Sequence, residues 1–468
     1  MSGWILGTQP SLPVAPIVGG EGVSHGWVIG YAIDPHGRVV EREGIALSSV
    51  STGTLASLHE RLAGFGGRFV IVLLEDGLQH VYLDACGTLG TVYSPIEEVV
   101  ASTSFLIPYS NATSDNIGLQ KALRMPFNHS NGYPVGLTPR HQVKRLLPNH
   151  YLDLANWEAK RFWPHGELAE GDAETAVRAI VDILKRQLGA IFAHDSVQLS
   201  LTGGGDSRVL LACARKYAQE MELYTVEIPG DVACRVDVRI SGSIARRLGL
   251  KHRILRHQDA SVSDFEEWLH KTGCEVSEER GWQTAQTIKQ LRPDKVAVGG
   301  AGGELARDFW WRKEDSPSSP MTLERLAQQC GAPLIPEVRT ALQAWLDALP
   351  PIRSFFTILH LFYIEQRLGC WAGVTPYGEA RSTFGVFPYS HRRIIELMLS
   401  LPVSYKRERR FWKDILEREW PDLLLFPVNP RSRFEVWEER TRLGLQRVAR
   451  GLRNPKATIG RIARGRAS

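Results

Sequence analysis

Residues 200–207 read Ser200-Leu-Thr-Gly-Gly-Gly-Asp-Ser207. Residues 196–201 have the pattern of a strand that leads into this stretch, and residues 207–218 have the pattern of a helix that follows it. Three consecutive glycines let backbone N–H groups approach a phosphate closely, and the N-terminus of a helix adds its positive dipole end. The sequence therefore predicts a phosphate-binding turn between a strand and a helix.

The side chains of this stretch suit a nucleotide that carries a metal ion. Hydroxyl groups within it can donate further hydrogen bonds to phosphate oxygens, whereas Asp206 would repel a bare phosphate and fits better as a ligand of accompanying Mg²⁺. The stretch is neither a Walker A loop nor a dinucleotide fingerprint, because its glycine spacing differs and no Lys precedes the Ser. A tight turn without a ligand is the alternative. The predicted nucleotide-binding residues here are Ser200, Thr202, Gly203, Gly204, Gly205, Asp206 and Ser207.

The pattern after about residue 172 alternates long helical segments with short apolar strands. Strands are predicted at 196–201, 223–228, 252–256 and 295–298, and helices at 174–192, 207–218 and 236–248. Strands that alternate with helices form right-handed βαβ units and a parallel sheet. Beyond about residue 317 the pattern is mostly helical. We therefore expect an α/β parallel-sheet domain with a helical C-terminal part.

Residues 1 to about 165 have a different pattern, with short alternating runs typical of strands. The runs at 27–33 and 68–74 end at the turn signals Pro35-His-Gly37 and Asp76-Gly77. Between them, residues 55–62 have apolar side chains at helical spacing. The expectation is an α+β N-terminal domain of stacked antiparallel sheets with helices.

The composition is that of a globular enzyme, since 43% of the 468 residues are hydrophobic and 23% are charged. The net charge of +5 is unevenly spread, because residues 440–468 hold eight Arg and one Lys with no acidic residue. Subtracting those nine charges from +5 leaves −4, so a nucleic-acid partner is not expected. We interpret residues 440–468 as a basic C-terminal tail.

The six cysteines include no Cys-x-x-Cys pair, so neither a zinc ribbon nor a dithiol redox centre is indicated. The N-terminus lacks the order of a secretory signal, and no apolar run has the length of a membrane span. We expect a cytoplasmic protein with no membrane partner.

The first loop, defined as residues 200–207, is similar to the pyrophosphate-binding loop of the ATP pyrophosphatases, which cleave ATP between the α and β phosphates. Flanking segments narrow the resemblance to the asparagine synthetase-like family, which includes β-lactam synthetases and lasso-peptide cyclases. There, a class II glutamine amidotransferase domain of the Ntn-hydrolase type precedes the ATP-using domain. The resemblance implies such domains at 1–165 and 172–435.

Segments along nearly the whole chain carry this resemblance. Residues 1–7 resemble the Met-Cys-Gly-Ile opening of the amidotransferase domain, and residues 68–76, 83–87 and 143–151 resemble its later segments. Val298-Gly-Gly-Ala-Gly-Gly-Glu304, called the second loop below, is similar to the second active-site loop of the family. Residues 363–367, which include Glu365, and residues 387–402 resemble the helical C-terminal part.

Ser2 stands where the amidotransferases have a nucleophilic cysteine. Serine can also act as an N-terminal nucleophile once Met1 is removed. The segments that hold glutamine in the family have no clear match, however, so we favour a relic domain with an inert terminus.

The second loop also departs from the family. Gly300 and Gly303 stand where an acidic residue helps to hold magnesium, which leaves Asp206 and Glu304 as the predicted metal ligands. The family's C-terminal lysine, which stabilises charge during amide formation, has no clear counterpart. Its candidate replacements are Arg431, Arg433 and Lys413.

The resemblance implies an ATP-dependent amide ligase with ATP and Mg²⁺ as cofactors. A substrate carboxylate would be adenylated with release of pyrophosphate, and an amine (ammonia, a peptide or a metabolite) would then attack. The predicted catalytic residues are Asp206, Glu304 and Glu365, of which either glutamate is a candidate acceptor for the proton of the amine. An ion-pair role for each glutamate stays open. Gly299 and Gly300 join the first loop as predicted nucleotide-binding residues.

Other functions stay open beside this one. A macrolactam, lasso-peptide or β-lactam-type cyclase would use the same loop, and a nucleotide-binding pseudoenzyme would explain Gly300 and Gly303. A tRNA-modifying enzyme would explain the basic tail, but the β-rich N-terminal part and the missing Cys-x-x-Cys argue against it. Either a homodimer or a biosynthetic partner protein is compatible with the sequence.

Overall fold

A computed structural model of the chain describes residues 3–19, 23–46, 54–75, 77–125, 131–229, 231–379 and 383–428, with the side chains of residues 279 and 280 left aside. Four features singled out from the sequence lie outside these ranges, namely Ser2, Arg431, Arg433 and the tail at 440–468.

The N-terminal part is built on a seven-stranded sheet with the order β10-β9-β5-β4-β2-β1-β3 and a three-stranded sheet with the order β7-β6-β8. All pairs are antiparallel except β1 with β3. The strands are β1 (Val14–Val18), β2 (Ser24–Ile33), β3 (Ile45–Ala46), β4 (Gly66–Glu75), β5 (Leu78–Leu83), β6 (Val92–Ser94), β7 (Val99–Ala101), β8 (Lys144–Arg145), β9 (His150–Asp153) and β10 (Glu158–Arg161).

The two antiparallel sheets share a core. Val81 and Leu152 from the larger sheet pack in one cluster with Tyr93 and Leu146 from the smaller sheet and its flank. The predicted helix forms with the predicted bounds, as α1 (Leu55–Leu62), and Thr54 caps it by accepting a hydrogen bond from the backbone N–H of Ser57.

The C-terminal part is built on a five-stranded parallel sheet with the order β13-β12-β11-β14-β15. Its strands are β11 (Val197–Ser200), β12 (Glu222–Val226), β13 (His252–Leu255), β14 (Val296–Val298) and β15 (Gly385–Val386). β11 lies in the centre of the sheet, and its residues Val197, Gln198 and Leu199 are buried, as expected for a parallel strand covered on both faces. The expectation of an antiparallel-rich sheet followed by a parallel sheet with helices is confirmed in outline.

After α1, a further α-helix lies in the N-terminal part, and the other α-helices precede, lie between or follow the strands of the parallel sheet in the chain. They are α2 (Ile117–Ala122) in the N-terminal part, then α3 (Ala173–His194), α4 (Gly205–Cys213), α5 (Val232–Leu248), α6 (Val262–Lys271), α7 (Glu279–Ile288), α8 (Leu323–Cys330), α9 (Pro336–Asp347), α10 (Phe355–Phe362), α11 (Thr375–Gly378), α12 (Arg392–Leu399), α13 (Val403–Arg407) and α14 (Arg410–Glu419). A π-helical segment, Tyr363–Ala372, continues α10.

Two helices near the first loop differ from the sequence prediction at their ends. α4 begins at Gly205 and ends at Cys213, where a 3₁₀ turn (Arg215–Tyr217) replaces the predicted continuation to residue 218. α5 begins four residues earlier than predicted, because Asp231 caps it by accepting from the backbone N–H of Cys234.

The N-terminal and C-terminal parts pack on one another through a shared hydrophobic cluster. Tyr31, Ile33 and Cys86 from the N-terminal part belong to the same cluster as Leu199 from β11 and Tyr389. Within the described ranges, no helix combines the length and the apolar character needed to cross a membrane.

Candidate functional site

The first and second loops meet at the carboxyl edge of the parallel sheet. β11 and β14 are adjacent parallel strands, so the chain segments that follow them leave at the same edge. A Cβ atom on Gly303 would lie 2.9 Å from the Cβ of Asp206, and one on Gly300 would lie 3.5 Å from the backbone nitrogen of Ser207. The loops are therefore in direct contact, and Gly303 leaves no room for a side chain.

Hydroxyl groups hold the shape of the first loop. The Ser207 Oγ accepts a hydrogen bond from the backbone N–H of Thr202 at 3.1 Å and lies 3.0 Å from the Thr202 Oγ1. The Thr202 Oγ1 also accepts from the backbone N–H of Gly204 at 3.1 Å. Thr202 and Ser207 therefore brace the turn, whereas Ser200 ends β11 just before it.

The backbone N–H of Gly203 donates a 2.7 Å hydrogen bond to the Oδ1 of Asp237 on α5. A Cβ atom on Gly203 would lie 3.0 Å from that same oxygen, so a larger residue would crowd it. Asp237 was not predicted from the sequence, because it lies 34 residues away on a helix that showed no motif.

The first turn of α4 presents its backbone N–H groups at this edge. Gly204 is the N-cap residue and supplies no capping side chain, and Gly205 begins the helix. The first N–H groups of a helix have no intrahelical partners and carry the positive end of its dipole, which favours an anion. A Cβ atom on Gly205 would lie 2.5 Å from the Trp412 ring of α14, so only glycine fits here.

Asp206 and Glu304 flank the guanidinium group of Arg307. The Arg307 Nη2 donates to the Asp206 Oδ2 at 2.9 Å and lies 3.8 Å from the Glu304 Oε1. The Glu304 Oε2 accepts from the backbone N–H of Gly302 at 3.1 Å. The two predicted acidic residues are thus brought together, with an arginine between them that the sequence analysis missed.

Burial raises the pKa of Asp206 to about 6, although Arg307 lowers it; Glu304 adds to the rise as a like charge. Burial alone would lower the pKa of Arg307, but Asp206 and Glu304 raise it above its ordinary value. Arg307 therefore stays a cation. Its spacing from Glu304, three residues along the chain, was a signal for this ion pair.

The donor set suits a magnesium ion that arrives with a nucleotide. Mg²⁺ in phosphate-binding sites takes one or two carboxylates and completes its shell with phosphate oxygens and water. Asp206 and Glu304 supply those two carboxylates at one place. In the described part of the chain, no group of three or more His, Cys, Asp or Glu side chains is arranged to hold a metal ion by itself.

Arg208 connects the first loop to the last described segment of the chain. Its side chain is fully buried in α4 and donates to the Gly203 carbonyl oxygen at 3.1 Å. The same guanidinium group donates to the carbonyl oxygens of Leu423, Phe426 and Pro427 at 3.2, 2.9 and 2.5 Å. A charged residue ahead of the apolar run 209–212 was the sequence signal for such a buried anchor.

Glu365 has a different environment from Glu304. It is 0% exposed and accepts hydrogen bonds from both terminal nitrogens of Arg161 at 2.6 and 2.9 Å, from Asn149 at 2.7 Å and from the Trp345 indole at 2.6 Å. Burial by itself would raise the pKa of Glu365, but Arg161 and the other donors leave it below its ordinary value. This geometry is that of an ion pair joining β10 to the segment Tyr363–Ala372.

Lys413 is exposed on α14, one residue after the Trp412 that covers the start of α4. The other two candidate replacements for the family lysine, Arg431 and Arg433, lie outside the described residues. Gly299 and Gly300 lie where predicted, directly after β14.

The N-terminal part supports the second loop from behind. Asp84 is buried and accepts from the Ser390 hydroxyl at 2.5 Å, and Ser390 in turn accepts from the backbone N–H of Cys86 at 3.1 Å. A Cβ atom on Gly302 would lie 3.6 Å from the Cys86 Sγ. The family-like segment 83–87 therefore packs against the loop that carries Glu304.

The sequence matches no protein-family model, and it has no significant match among curated proteins. The function therefore has to be argued from the two loops themselves.

Proposed function

We propose that the protein is an asparagine synthetase-like, ATP-dependent amide ligase that adenylates a carboxylate and transfers the acyl group to an amine. The observation that carries the proposal is the first loop. It follows the central strand β11, opens α4 without a capping side chain and carries Asp206, which forms an ion pair with Arg307. Glu304 of the second loop flanks the same guanidinium group. Such a site suits the polyphosphate of a nucleotide.

In the first half-reaction, a substrate carboxylate attacks the α-phosphorus of ATP, and pyrophosphate leaves. Negative charge develops on the departing pyrophosphate, so catalysis requires fixed positive charge and N–H donors beside it. The uncapped first turn of α4 supplies the donors and Arg307 supplies a cation. Mg²⁺, held by Asp206 and Glu304, would neutralise further phosphate charge when bound.

In the second half-reaction, an amine attacks the activated acyl carbon and must lose a proton. Glu304 supports this step better than Glu365, because Glu304 is partly exposed at the junction of the loops. Both oxygens of Glu365 already accept strong hydrogen bonds inside the protein. We therefore assign Glu304 as the proton acceptor and Glu365 as a structural residue.

We further propose that residues 1–165 are a relic amidotransferase domain and residues 172–435 the ATP-using domain. Support comes from the antiparallel sheets of the first part and from segment 83–87, which hydrogen-bonds to Ser390 and packs beside Gly302 of the second loop, so that this part has a structural role. The amine then comes from free ammonia, from a second molecule or from the substrate itself. Ring closure would make the enzyme a macrolactam, lasso-peptide or β-lactam-type cyclase.

A nucleotide-binding pseudoenzyme is the second candidate. It is favoured by Gly303, which contacts Asp206 so closely that an acidic side chain cannot fit at this position.

Release of AMP and pyrophosphate distinguishes the two candidates. The protein would be incubated with Mg²⁺, ATP and a pool of carboxylates from cell extract, and the acyl-adenylate identified by mass spectrometry. We expect pyrophosphate in an amount equal to the sum of AMP and acyl-adenylate, and neither AMP nor pyrophosphate from Asp206→Ala. Nucleotide binding without AMP from any carboxylate pool would favour the pseudoenzyme.

A further inference from the structure

Arg307 occupies the position between the two carboxylates where a metal ion would have to bind. Its Nη2 lies 2.9 Å from the Asp206 Oδ2 and 3.8 Å from the Glu304 Oε1. Two neighbouring carboxylates repel each other unless a cation lies between them. A guanidinium group and a divalent ion both satisfy this need, but they cannot share one place.

Arg307 also has an N–H donor that an anion could accept from. Its Nε is buried and has no hydrogen-bond partner among the described residues. Beyond the two carboxylates, the guanidinium lies 5.6 Å from the centre of the Phe309 ring, and Tyr363 and Asp308 are near enough to raise its pKa. A buried N–H donor without an acceptor is costly, so a phosphate oxygen that reaches it gains a hydrogen bond at little desolvation cost.

The neighbouring ion pair shows what is particular to Arg307. Arg409 reaches Asp308 at 2.9 Å, but it meets one carboxylate at a more exposed place. Arg307 instead connects a carboxylate of the first loop to one of the second loop.

We propose that Arg307 is the resident counter-cation of this site and excludes a divalent metal ion from Asp206 and Glu304 until a phosphate-bearing ligand takes the guanidinium group. The inference rests on the proposed function only for the identity of that ligand, the polyphosphate of a nucleotide. The exclusion of the metal depends on the three side chains alone.

Binding of Mn²⁺, followed by electron paramagnetic resonance of the free ion, tests this proposal without any turnover. The full-length protein, Arg307→Gln and the matched control Arg409→Gln would be titrated without nucleotide. We expect Arg307→Gln to bind one Mn²⁺ per chain about tenfold or more tightly than the wild type, because one adjacent positive charge is removed. Arg409→Gln should behave like the wild type, and Asp206→Asn combined with Arg307→Gln should lose the site.

A second measurement uses the wild-type protein and therefore does not depend on the folding of a variant. With a non-hydrolysable ATP analogue present, we expect the wild type to bind one Mn²⁺ per chain. At the same concentrations without the analogue, we expect it to bind no Mn²⁺. A saturable Mn²⁺ site in the wild type without nucleotide that Asp206→Asn removes would overturn the proposal. So would a folded Arg307→Gln, judged by its thermal unfolding, that gains no Mn²⁺ affinity.

Failure of the proposed ligase function can be distinguished from failure of the proposal for Arg307. It would appear as absence of AMP from the wild type, whereas the titrations without nucleotide would still compare Arg307→Gln with the wild type.

Discussion

The two loops leave neighbouring strands at the same edge of one sheet, yet they are held in different ways. The first loop is braced by hydrogen bonds among Thr202, Ser207 and Gly203 and by the acceptor Asp237. The second loop is held by charge, with Arg307 against Glu304 and Asp206. The first loop thus has a backbone held in shape by hydrogen bonds, whereas the second loop is held by ion pairs that can exchange partners.

This difference bears on the departures from the asparagine synthetase-like pattern. Two of them, Gly300 and Gly303, fall in the second loop, and Arg307 follows that loop closely. Arg307 pairs with Asp206 of the first loop and lies near Glu304 of the second.

The largest expected effect compares the carboxylates of the two loops. Asp206→Asn should lower the rate of AMP formation about 100- to 1,000-fold, because it removes the carboxylate at the start of α4 that would hold Mg²⁺ beside the phosphates. Glu304→Gln should lower it only about tenfold in this step, because Glu304 lies farther from the guanidinium. Single-turnover assays measure the rate of AMP formation of both variants, and thermal unfolding checks that both are folded. Equal losses would mean that the loops do not differ in this way.

The next effect concerns the support of the first loop. Arg208→Met should lower the free energy of unfolding by about 3 kcal/mol or more, because four carbonyl groups lose a buried donor. The matched control is Arg215→Met, which removes an exposed donor to the Glu419 carbonyl and should cost less than about 1 kcal/mol. Urea unfolding measures both, and similar losses would contradict the anchoring role of Arg208.

The ion pair between Asp206 and Arg307 predicts a pH dependence. Since burial raises the pKa of Asp206 to about 6, AMP formation should rise with pH through this value as the carboxylate ionises. Arg307→Gln removes the neighbour that lowers this pKa, so the midpoint should move up by about one unit. The rate at low ATP concentration, measured from pH 5 to 8, reports the midpoint. A midpoint that moves down would contradict this ion pair, and Arg409→Gln should leave it in place.

Stability should depend on pH in the opposite direction. The raised pKa means that the folded protein binds more protons than the unfolded chain between about pH 4 and 6. The contribution of Asp206 to the free energy of unfolding therefore falls as pH rises through this window. Urea unfolding should show this as a difference, because the free energy of unfolding of the wild type relative to that of Asp206→Asn should fall as pH rises from about 4 to 6.

A smaller effect is expected at the hydrogen bond between Gly203 and Asp237. Asp237→Ala should raise the KM for ATP about three- to tenfold with little change in kcat, because the loop loses one brace. Asp231→Ala is the matched control, since it removes the N-cap of the same helix and should change stability but not KM. A change in kcat alone would contradict the bracing role.

The smallest effect is expected at Lys413, which is exposed and belongs to neither loop. Lys413→Gln should change amide formation by less than about twofold, as expected for an exposed side chain outside the site. A loss of about tenfold or more in the amide-forming step, with AMP release unchanged, would instead give Lys413 the role of the family lysine.

Much of the fold could be predicted because its signals are local. The strand, the glycines and the helix of the first loop follow one another within a few residues, and α1 forms at the predicted residues. The partners that shape the site could not be predicted in this way. Arg307 meets Asp206 across 101 residues and Arg208 meets Leu423 across 215, so only the folded chain shows these pairs.

Glu365 shows why the role of a residue cannot be inferred from sequence similarity alone. Its position in a family-like segment suggested either a proton acceptor or an ion-pair partner, and the choice depends on burial, which the segment itself does not specify. The partner Arg161 lies 204 residues earlier, on β10. Only their meeting in the fold shows that the carboxylate is enclosed and fully hydrogen-bonded.

The anchoring of Arg208 has a practical consequence for shortening the chain. Three of its four acceptors belong to residues 423–427, far along the sequence from the loop they support. A truncated version that ends before residue 421 would retain every strand of the parallel sheet, yet it would leave a buried guanidinium group short of acceptors next to the glycines. The smallest fragment that keeps the support of the first loop must therefore extend at least to Pro427.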